Sequence, residues 1–411
     1  MGIHDARDAS DQGRGAQVTR RALLGAGAAA AAGLTFGLGA PAFADARPAA
    51  APGGPGTPIT ESPFGPVVVA GQNGRTSYAR AVQLSARQPG RSRTLLATYQ
   101  GAGGAGFPLY RSEDEGRTWA LQSTIPVNGF ALQPFLYELP RAFAGLPKGA
   151  LLFSCNTFAN FSSTNIQLYA STDEGMTWQF LSTVAQGGPP DTTNGATPVW
   201  EPFLLLHQDN LVCYYSDQRD PDFGQKLAHQ TSRDLRTWGP VVNDATGTTY
   251  ANRPGMTTIA QIRGDLWIMT YEYGVPDDPE NPQRDDYSYP IHYRLARDPE
   301  SFRFSQDMAL VPSTGAVPNG APVVSWSPSG GKNGTIIVTD NDDQDFMINR
   351  ALGDPGAWTR FSSPMPAGYS RYTIPLVGPG RPPEPGLVFV ITGAQYGKSG
   401  PVEAGIISLG A

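Results

Sequence analysis

The sequence of 411 residues is poor in the groups that build several common kinds of site. It holds two cysteines, Cys155 and Cys213, and four histidines. The histidines show no ligand spacing, and neither cysteine has the charged neighbours that activate a thiol, so no metal centre and no thiol enzyme is expected. Asp217, Asp220 and Asp222 form a weak calcium-like cluster that reads as a polar loop. No cofactor motif is present. Basic residues are not in excess: the net charge is −6 and the pI about 5.3. Phosphate binding is driven largely by Lys and Arg, so nucleic acid and anionic membranes are excluded as partners. No stretch keeps an apolar helical period, which argues against a helical bundle. The residues leave open whether Cys155 and Cys213 pair or remain buried thiols on apolar strands.

The N-terminus also lacks what a membrane anchor needs. Paired Arg20-Arg21 precede a run from Ala22 to Leu38 made mainly of Ala and Gly, followed by Ala42-Phe43-Ala44. Such a run inserts poorly into a bilayer. The order of elements resembles a twin-arginine export signal with cleavage after Ala44. Residues 1–44 are therefore expected to be removed and the protein secreted, with no membrane contact after cleavage. Residues 45–56 are Ala, Pro and Gly with almost nothing to bury, and read as a linker. One folded domain, expected to act as a monomer, takes up 57–411.

What the domain has in abundance is punctuation. Its Gly and Pro (49 and 38 in the whole chain) are scattered between short runs of Val, Ile, Leu, Tyr and Trp, the pattern of many short strands joined by turns. One motif returns. Ser112-Glu113-Asp114-Glu115-Gly116-Arg117-Thr118-Trp119 and Ser171-Thr172-Asp173-Glu174-Gly175-Met176-Thr177-Trp178 both read S-x-D-x-G-x-T-W. A degenerate copy runs from Ser232 through Asp234 to Trp238, and weaker ones surround Asp298 and Asp354. The aspartates recur at about 60 residues, which leaves room for six units and predicts an all-β, six-bladed β-propeller. The C-terminal segments 387–392 and 406–409 are expected to close the ring against the start of the fold. In each motif Asp and Gly hold a hairpin turn and Trp packs into the blade, so Asp114, Asp173 and Asp234 are structural.

Ligands of propellers bind at the central channel, on the innermost strands. Six similar inner segments can be aligned, and one equivalent position then reads Arg80, Gln133, Glu201, Arg253, Ala321, Arg371. Three arginines and a glutamate converging there would desolvate one another unless a polar ligand used them. On the second strands, Thr98-Tyr99-Gln100 matches Thr270-Tyr271-Glu272, and Ile336-Ile337-Val338-Thr339-Asp340 adds a third acid. Carboxylates thus replace glutamines twice, at Glu201 and Glu272. They are the candidate catalytic residues, flanked by Trp200, Tyr271 and Tyr273. Arg80, Gln133, Trp200, Arg253, Tyr271, Tyr273, Asp340 and Arg371 are candidates for binding substrate. Two opposed carboxyls in an aromatic cleft suit glycosidic cleavage.

The motif S-x-D-x-G-x-T-W resembles the Asp box of sialidase-type propellers. The segments Val199-Trp200-Glu201-Pro202-Phe203-Leu204, Ser216-Asp217-Gln218-Arg219-Asp220-Pro221, Arg253-Pro254-Gly255-Met256 and Met269-Thr270-Tyr271-Glu272-Tyr273-Gly274 are similar to those of glycoside hydrolase family 93. That resemblance implies an exo-1,5-α-L-arabinanase that releases arabinobiose from linear arabinan with retention, using Glu201 and Glu272. The arginines aligned with Glu201 favour its ionised form and point to Glu201 as nucleophile and Glu272 as acid/base. Three alternatives remain: an exo-sialidase binding its substrate carboxylate with the three arginines, a non-catalytic carbohydrate-binding propeller, and a hydrolase of another furanoside polymer.

Overall fold

In the computed structural model, residues 63–71, 74–84, 93–101, 104–278, 280, 287–376 and 386–410 are described. The expected signal peptide and linker lie outside the described residues. The fold begins with β1 (Phe64–Ala70) and continues through β2 (Ser77–Gln83), β3 (Leu95–Gln100), β4 (Gly104–Ser112) and β5 (Ala120–Glu138). Next come β6 (Leu151–Phe158), β7 (Thr164–Ser171) and β8 (Gln179–Gly187), then β9 (Val199–His207), β10 (Asn210–Asp217), β11 (Lys226–Ser232) and β12 (Val242–Ala245). β13 (Arg253–Gln261), β14 (Trp267–Pro276), β15 (Tyr287–Ser288), β16 (Ile291–Ala296) and β17 (Met308–Ala309) form the following sheet. β18 (Val323–Ser327), β19 (Thr335–Thr339), β20 (Phe346–Asn349) and β21 (Trp358–Phe361) precede β22 (Tyr372–Pro375), β23 (Leu387–Thr392) and β24 (Val402–Ser408).

Neighbouring strands pair antiparallel in chain order, and the sheets are arranged as a β-propeller. The 19-residue β5 joins two units: its first part pairs β4 from Arg111↔Ala120 to Gly106↔Pro126, and its last part pairs β6 from Phe130↔Phe158 to Glu138↔Leu151. Divided there, the strands of the described residues fall into six units, led on their inner edge by β2, the end of β5, β9, β13, β18 and β22. The last unit is completed by the start of the chain, because β1 pairs β24 with Val67 opposite Ala404. Such closure ties both ends of the fold into one sheet, with β1 as its outermost strand.

The core lies between units rather than inside any one. Leu96, Phe107, Leu136 and Phe153 join the first to the second, and Leu168, Leu204, Tyr214 and Met269 run through the second, third and fourth. Ile268, Tyr293, Ile336 and Trp358 bind the fourth to the fifth, Ile337, Phe346 and Val388 the fifth to the sixth, and Phe389 and Ile406 meet Ala79 and Leu95 of the first. Cys155 and Cys213 are free, buried in different clusters, and burial pushes both thiols up.

The repeated motif is a hairpin turn that staples adjacent units. Asp114 accepts from the Thr118 amide at 2.9 Å and its hydroxyl at 2.7 Å, while Ser112 Oγ accepts from the Gly116 amide at 2.7 Å. Asp173, Thr177, Ser171 and Gly175 repeat the arrangement. Gly116 has φ +92° and a Cβ there would sit 2.6 Å from the Phe389 ring of the sixth unit; at Gly175, φ +88°, it would sit 2.4 Å from Leu109 of the first. Only glycine satisfies both demands. In the third copy Leu235 takes φ +62° and Asp234 accepts from the Arg236 and Thr237 amides. Asp298 caps a short 3₁₀ turn instead. In the fifth unit Asn349 takes the place of the motif's serine, its Oδ1 accepting from the Ala351 and Gly353 amides as Ser112 Oγ accepts from Asp114 and Gly116, so the position equivalent to the motif's aspartate is Ala351, three residues before Asp354.

Replacing Asp114 by Ala removes three hydrogen bonds that fix this turn, from the Ser112 hydroxyl and from the Thr118 amide and hydroxyl, and is expected to lower stability by about 1–2 kcal/mol. Thermal unfolding with parallel assays checks it: the midpoint falls and activity per folded molecule is unchanged.

Candidate active site

The inner edge of each unit contains one residue, not glycine, with a left-handed backbone: Tyr78 (φ 46°), Gln133 (59°), Glu201 (60°), Met256 (55°), Ala321 (49°) and Ser370 (58°). In the first four units each falls where the ladder with the second strand slips, between Ser77 and Arg80, Leu132 and Phe135, Trp200 and Phe203, and Gly255 and Thr258. These are β-bulges, and a bulge re-aims its side chain. The ring therefore reads Tyr, Gln, Glu, Met, Ala, Ser. The alignment made on sequence is right at Gln133, Glu201 and Ala321. It is displaced at the other three: bulges shift Arg80 and Arg253 off the equivalent position, and in the sixth unit that position is Ser370, the residue before Arg371.

Glu201 is the focus of this ring. Its Oε1 accepts from Tyr78 Oη at 3.1 Å and Gln133 Nε2 at 3.4 Å; its Oε2 accepts from Ser216 Oγ at 2.8 Å and the Met256 amide at 3.1 Å. Its own amide donates to Gln133 Oε1 at 3.1 Å, and Gln133's amide donates to Gln100 Oε1 at 2.8 Å. On the other side Tyr78, Met256, Ala321 and Tyr369 pack together as an apolar floor, with Tyr369 Oη 3.0 Å from Met256 Sδ. Beneath the ring lies a cavity of about 10 Å³ lined in part by Arg80, Glu201, Thr257 and Thr258, room for a single water molecule.

Glu272 projects from β14 opposite Gly255. Its Oε2 accepts from the Ala321 amide at 3.1 Å, so a ring position holds this carboxylate too. A Cβ on Gly255 would lie 3.5 Å from Glu272 Oε1 and 3.4 Å from Ser216 Oγ, which itself bonds Glu201. Those contacts keep the two carboxylates within about 10 Å, the span over which a pair can act on one glycosidic bond. At Gly320 a Cβ would meet nothing nearer than Glu272 Oε2 at 3.7 Å, so space is left beside this carboxylate, whereas at Gly255 the Gln225 amide already fills the volume, 2.5 Å from such a Cβ.

The structure does not bring all the other expected residues into the channel. Side chains alternate along a strand, so the neighbours of an inward glutamate face away. Trp200 is buried against Phe158 and Leu132 with Nε1 donating to Gln218 at 2.8 Å. Tyr271 is buried in the inter-unit core, donating to Asp307 and accepting from Arg294; burial raises its phenol well above the usual range. Tyr273 stacks on His292 at 4.6 Å. Arg253 donates to Asn194, Gln218 and Gln225 side chains. Arg371 donates to the carbonyls of Gln344, Met365, Pro366, Asp343 and Asp345, and burial lowers it to about 10. Both are braces between segments. Arg80 does face the cavity, yet its guanidinium bonds Ser370 O and Oγ at 3.0 and 2.8 Å behind the ring, and burial lowers it to about 10. Gln133 lies in the ring as expected.

Asp340 accepts from the Asn319 amide at 3.3 Å and the Asp343 amide at 3.0 Å. It thereby supports the 319–321 segment whose last amide reaches Glu272. Asp217 and Asp220 are spoken for by Arg219 at 2.8 Å and Lys226 at 2.5 Å, and among the described residues no cluster suits a metal ion. Sequence reasoning missed Tyr78, Ser216, Met256 and Tyr369. Nothing in their identities marks a left-handed bulge, and only the constant offset from the second strand could have found them.

Burial raises the Asp340 carboxyl from 3.8 to about 7. Its protonated form is thus favoured by folding: that contribution is complete below pH 3.8 and is lost as pH rises towards 7. Asp340→Asn should remove the dependence, so that native stability falls relative to the variant by about 2–4 kcal/mol between pH 4 and 7. Urea unfolding of both proteins across that range checks the sign.

The chain is similar to solved glycosidases over almost their whole length. With the GH93 α-L-arabinofuranosidase of Fusarium graminearum, in complex with arabinobiose, it shares 38% identity and a TM-score of 0.77, covering 84% of this chain and 98% of that one. With the α-L-arabinanase of Penicillium chrysogenum, also complexed with arabinobiose, the figures are 38%, 0.76, 85% and 99%. The NanB sialidase of Streptococcus pneumoniae shares the fold at a TM-score of 0.57 with 9% identity, over 84% of this chain and 71% of that one. No protein-family model and no curated protein sequence matches the chain.

Proposed function

Because the chain belongs to glycoside hydrolase family 93, we propose that it is an exported exo-1,5-α-L-arabinanase that takes arabinobiose from the end of linear arabinan with retention. The observation that carries this reading is the pairing of Glu201, a member of the left-handed ring, with Glu272, whose carboxylate accepts from the ring's Ala321 amide, in a chain 38% identical to two enzymes complexed with arabinobiose. Glu201 is the nucleophile in this reading. Four donors converge on its two oxygens, which suits a carboxylate that must carry charge in one fixed orientation. Glu272 is the acid/base, with Gly320 beside its carboxylate leaving room for a leaving oxygen and then for water.

In the first step Glu201 attacks the anomeric carbon while Glu272 gives its proton to the departing glycosidic oxygen. In the second, Glu272 takes a proton from water, which attacks the same carbon and frees Glu201. The export route, by the twin-arginine signal in residues 1–44, belongs to the same proposal. A sialidase reading is disfavoured by the arginines, since Arg253 and Arg371 are committed to amide and carbonyl oxygens. A lectin-like reading leaves unexplained why two carboxylates stand where glutamines occupy sister positions.

Glu201→Gln and Glu272→Gln should each fold normally and lose at least about a thousandfold in arabinobiose release from linear arabinan, since an amide neither attacks nor donates an acidic proton. Product chromatography beside a sialoside control decides it. Full activity in both variants removes the site assignment, and turnover of the sialoside alone removes the substrate.

A further inference from the structure

Beside the carboxylate pair, an aromatic cluster runs from buried Trp200 and Phe158 to the partly exposed Phe130 and Phe161. Trp200, next in the chain to Glu201, meets Phe158 edge-on at 6.0 Å; Phe158 in turn packs on Phe130 at 5.6 Å and Phe161 at 5.9 Å, and those two lie 5.3 Å apart at 41°. Trp200 and Phe158 are buried, whereas Phe130 and Phe161 are only half-buried. The patch is tied to the site through Asn156, two residues before Phe158, whose amide donates to Gln133 Oε1 at 3.3 Å and to the Val199 carbonyl at 2.7 Å.

The turn that carries Phe161 does not suit a phenylalanine. Ser162 donates its amide to Ala159 O at 2.9 Å, and the two central residues, Asn160 and Phe161, have φ 49° and 57°. That is a type I′ turn, whose second central position favours glycine. A bulky side chain is costly there, and a half-open ring recovers only part of the cost by burial.

We propose that Phe130 and Phe161 form a stacking platform for a furanose ring of the arabinan chain, outside the two rings whose linkage the carboxylates cut. The C–H face of a sugar ring is electropositive and matches the negative face of an aromatic ring. The proposal rests on the arabinanase reading above, and the occupant follows from the tie between patch and site, Asn156 bonding Gln133, which in turn bonds Glu201.

The test is steady-state kinetics on linear arabinan with wild type, Phe161→Gly, Phe130→Ala and Phe161→Tyr. Glycine relieves the left-handed turn, so Phe161→Gly should fold with an unchanged or higher unfolding midpoint. Its KM, and that of Phe130→Ala, should rise about tenfold with kcat within about twofold of wild type, while Phe161→Tyr retains the native KM. Wild-type turnover with KM unchanged in Phe161→Gly and Phe130→Ala overturns the platform alone. Wild type that leaves linear arabinan uncut overturns the functional reading and, with it, the arabinose occupant.

Discussion

A residue held at positive φ on the inner edge of each unit is the constraint on which the rest of the site depends. In a regular strand successive side chains point to opposite faces and none is aimed along the channel towards the axis. In the first four units a bulge breaks that alternation for one residue, and in the last two a left-handed residue just before the inner strand takes its place, at Ala321 and Ser370. None of the six is glycine, so each carries a backbone cost that the surrounding ladders must hold in place. The return is positional: Tyr78, Gln133 and the Met256 amide reach Glu201, and the Ala321 amide reaches Glu272.

The same geometry explains why polar residues near the channel divide into two kinds. Those on the ring or directly behind it face the carboxylates. Those an odd number of positions away, such as Arg371 beside Ser370 and Arg253 three before Met256, point away from the ring and act as braces. Arg371 gathers five carbonyls from two segments, and Arg253 gathers three amide side chains, so both arginines fix the rim of the site from behind. Asp340 works similarly on the 319–321 segment. The stapling turns at Asp114 and Asp173 stand further out, where their glycines press against the preceding unit and hold the sheets at the separation the ring requires.

Much of this was legible in the chain. The period of about 60 residues announced repeated sheets, and the swaps of Gln133 for Glu201 and Gln100 for Glu272 between sister strands singled out both acids. The closing pair was readable too: β24 completes its sheet with β1, as the apolar C-terminal segments suggested. What the chain did not reveal was register at the bulges. An inserted residue shifts the alignment by one to three positions, and conspicuous arginines drew it to Arg80, Arg253 and Arg371 instead of Tyr78, Met256 and Ser370. Trp200, Tyr271 and Tyr273 were assigned to the cleft because they adjoin glutamates in sequence, whereas strand alternation sends them the other way.

The central claim is that the ring presents Glu201 as the nucleophile. Incubation with an activated 2-deoxy-2-fluoro arabinosyl donor, which slows breakdown of a covalent glycosyl-enzyme, followed by peptide mass spectrometry, tests it most directly. The account predicts one added sugar on the peptide containing Glu201 and none on Glu272. A label on Glu272, or rapid turnover to product of inverted configuration with no label on either glutamate, would contradict it.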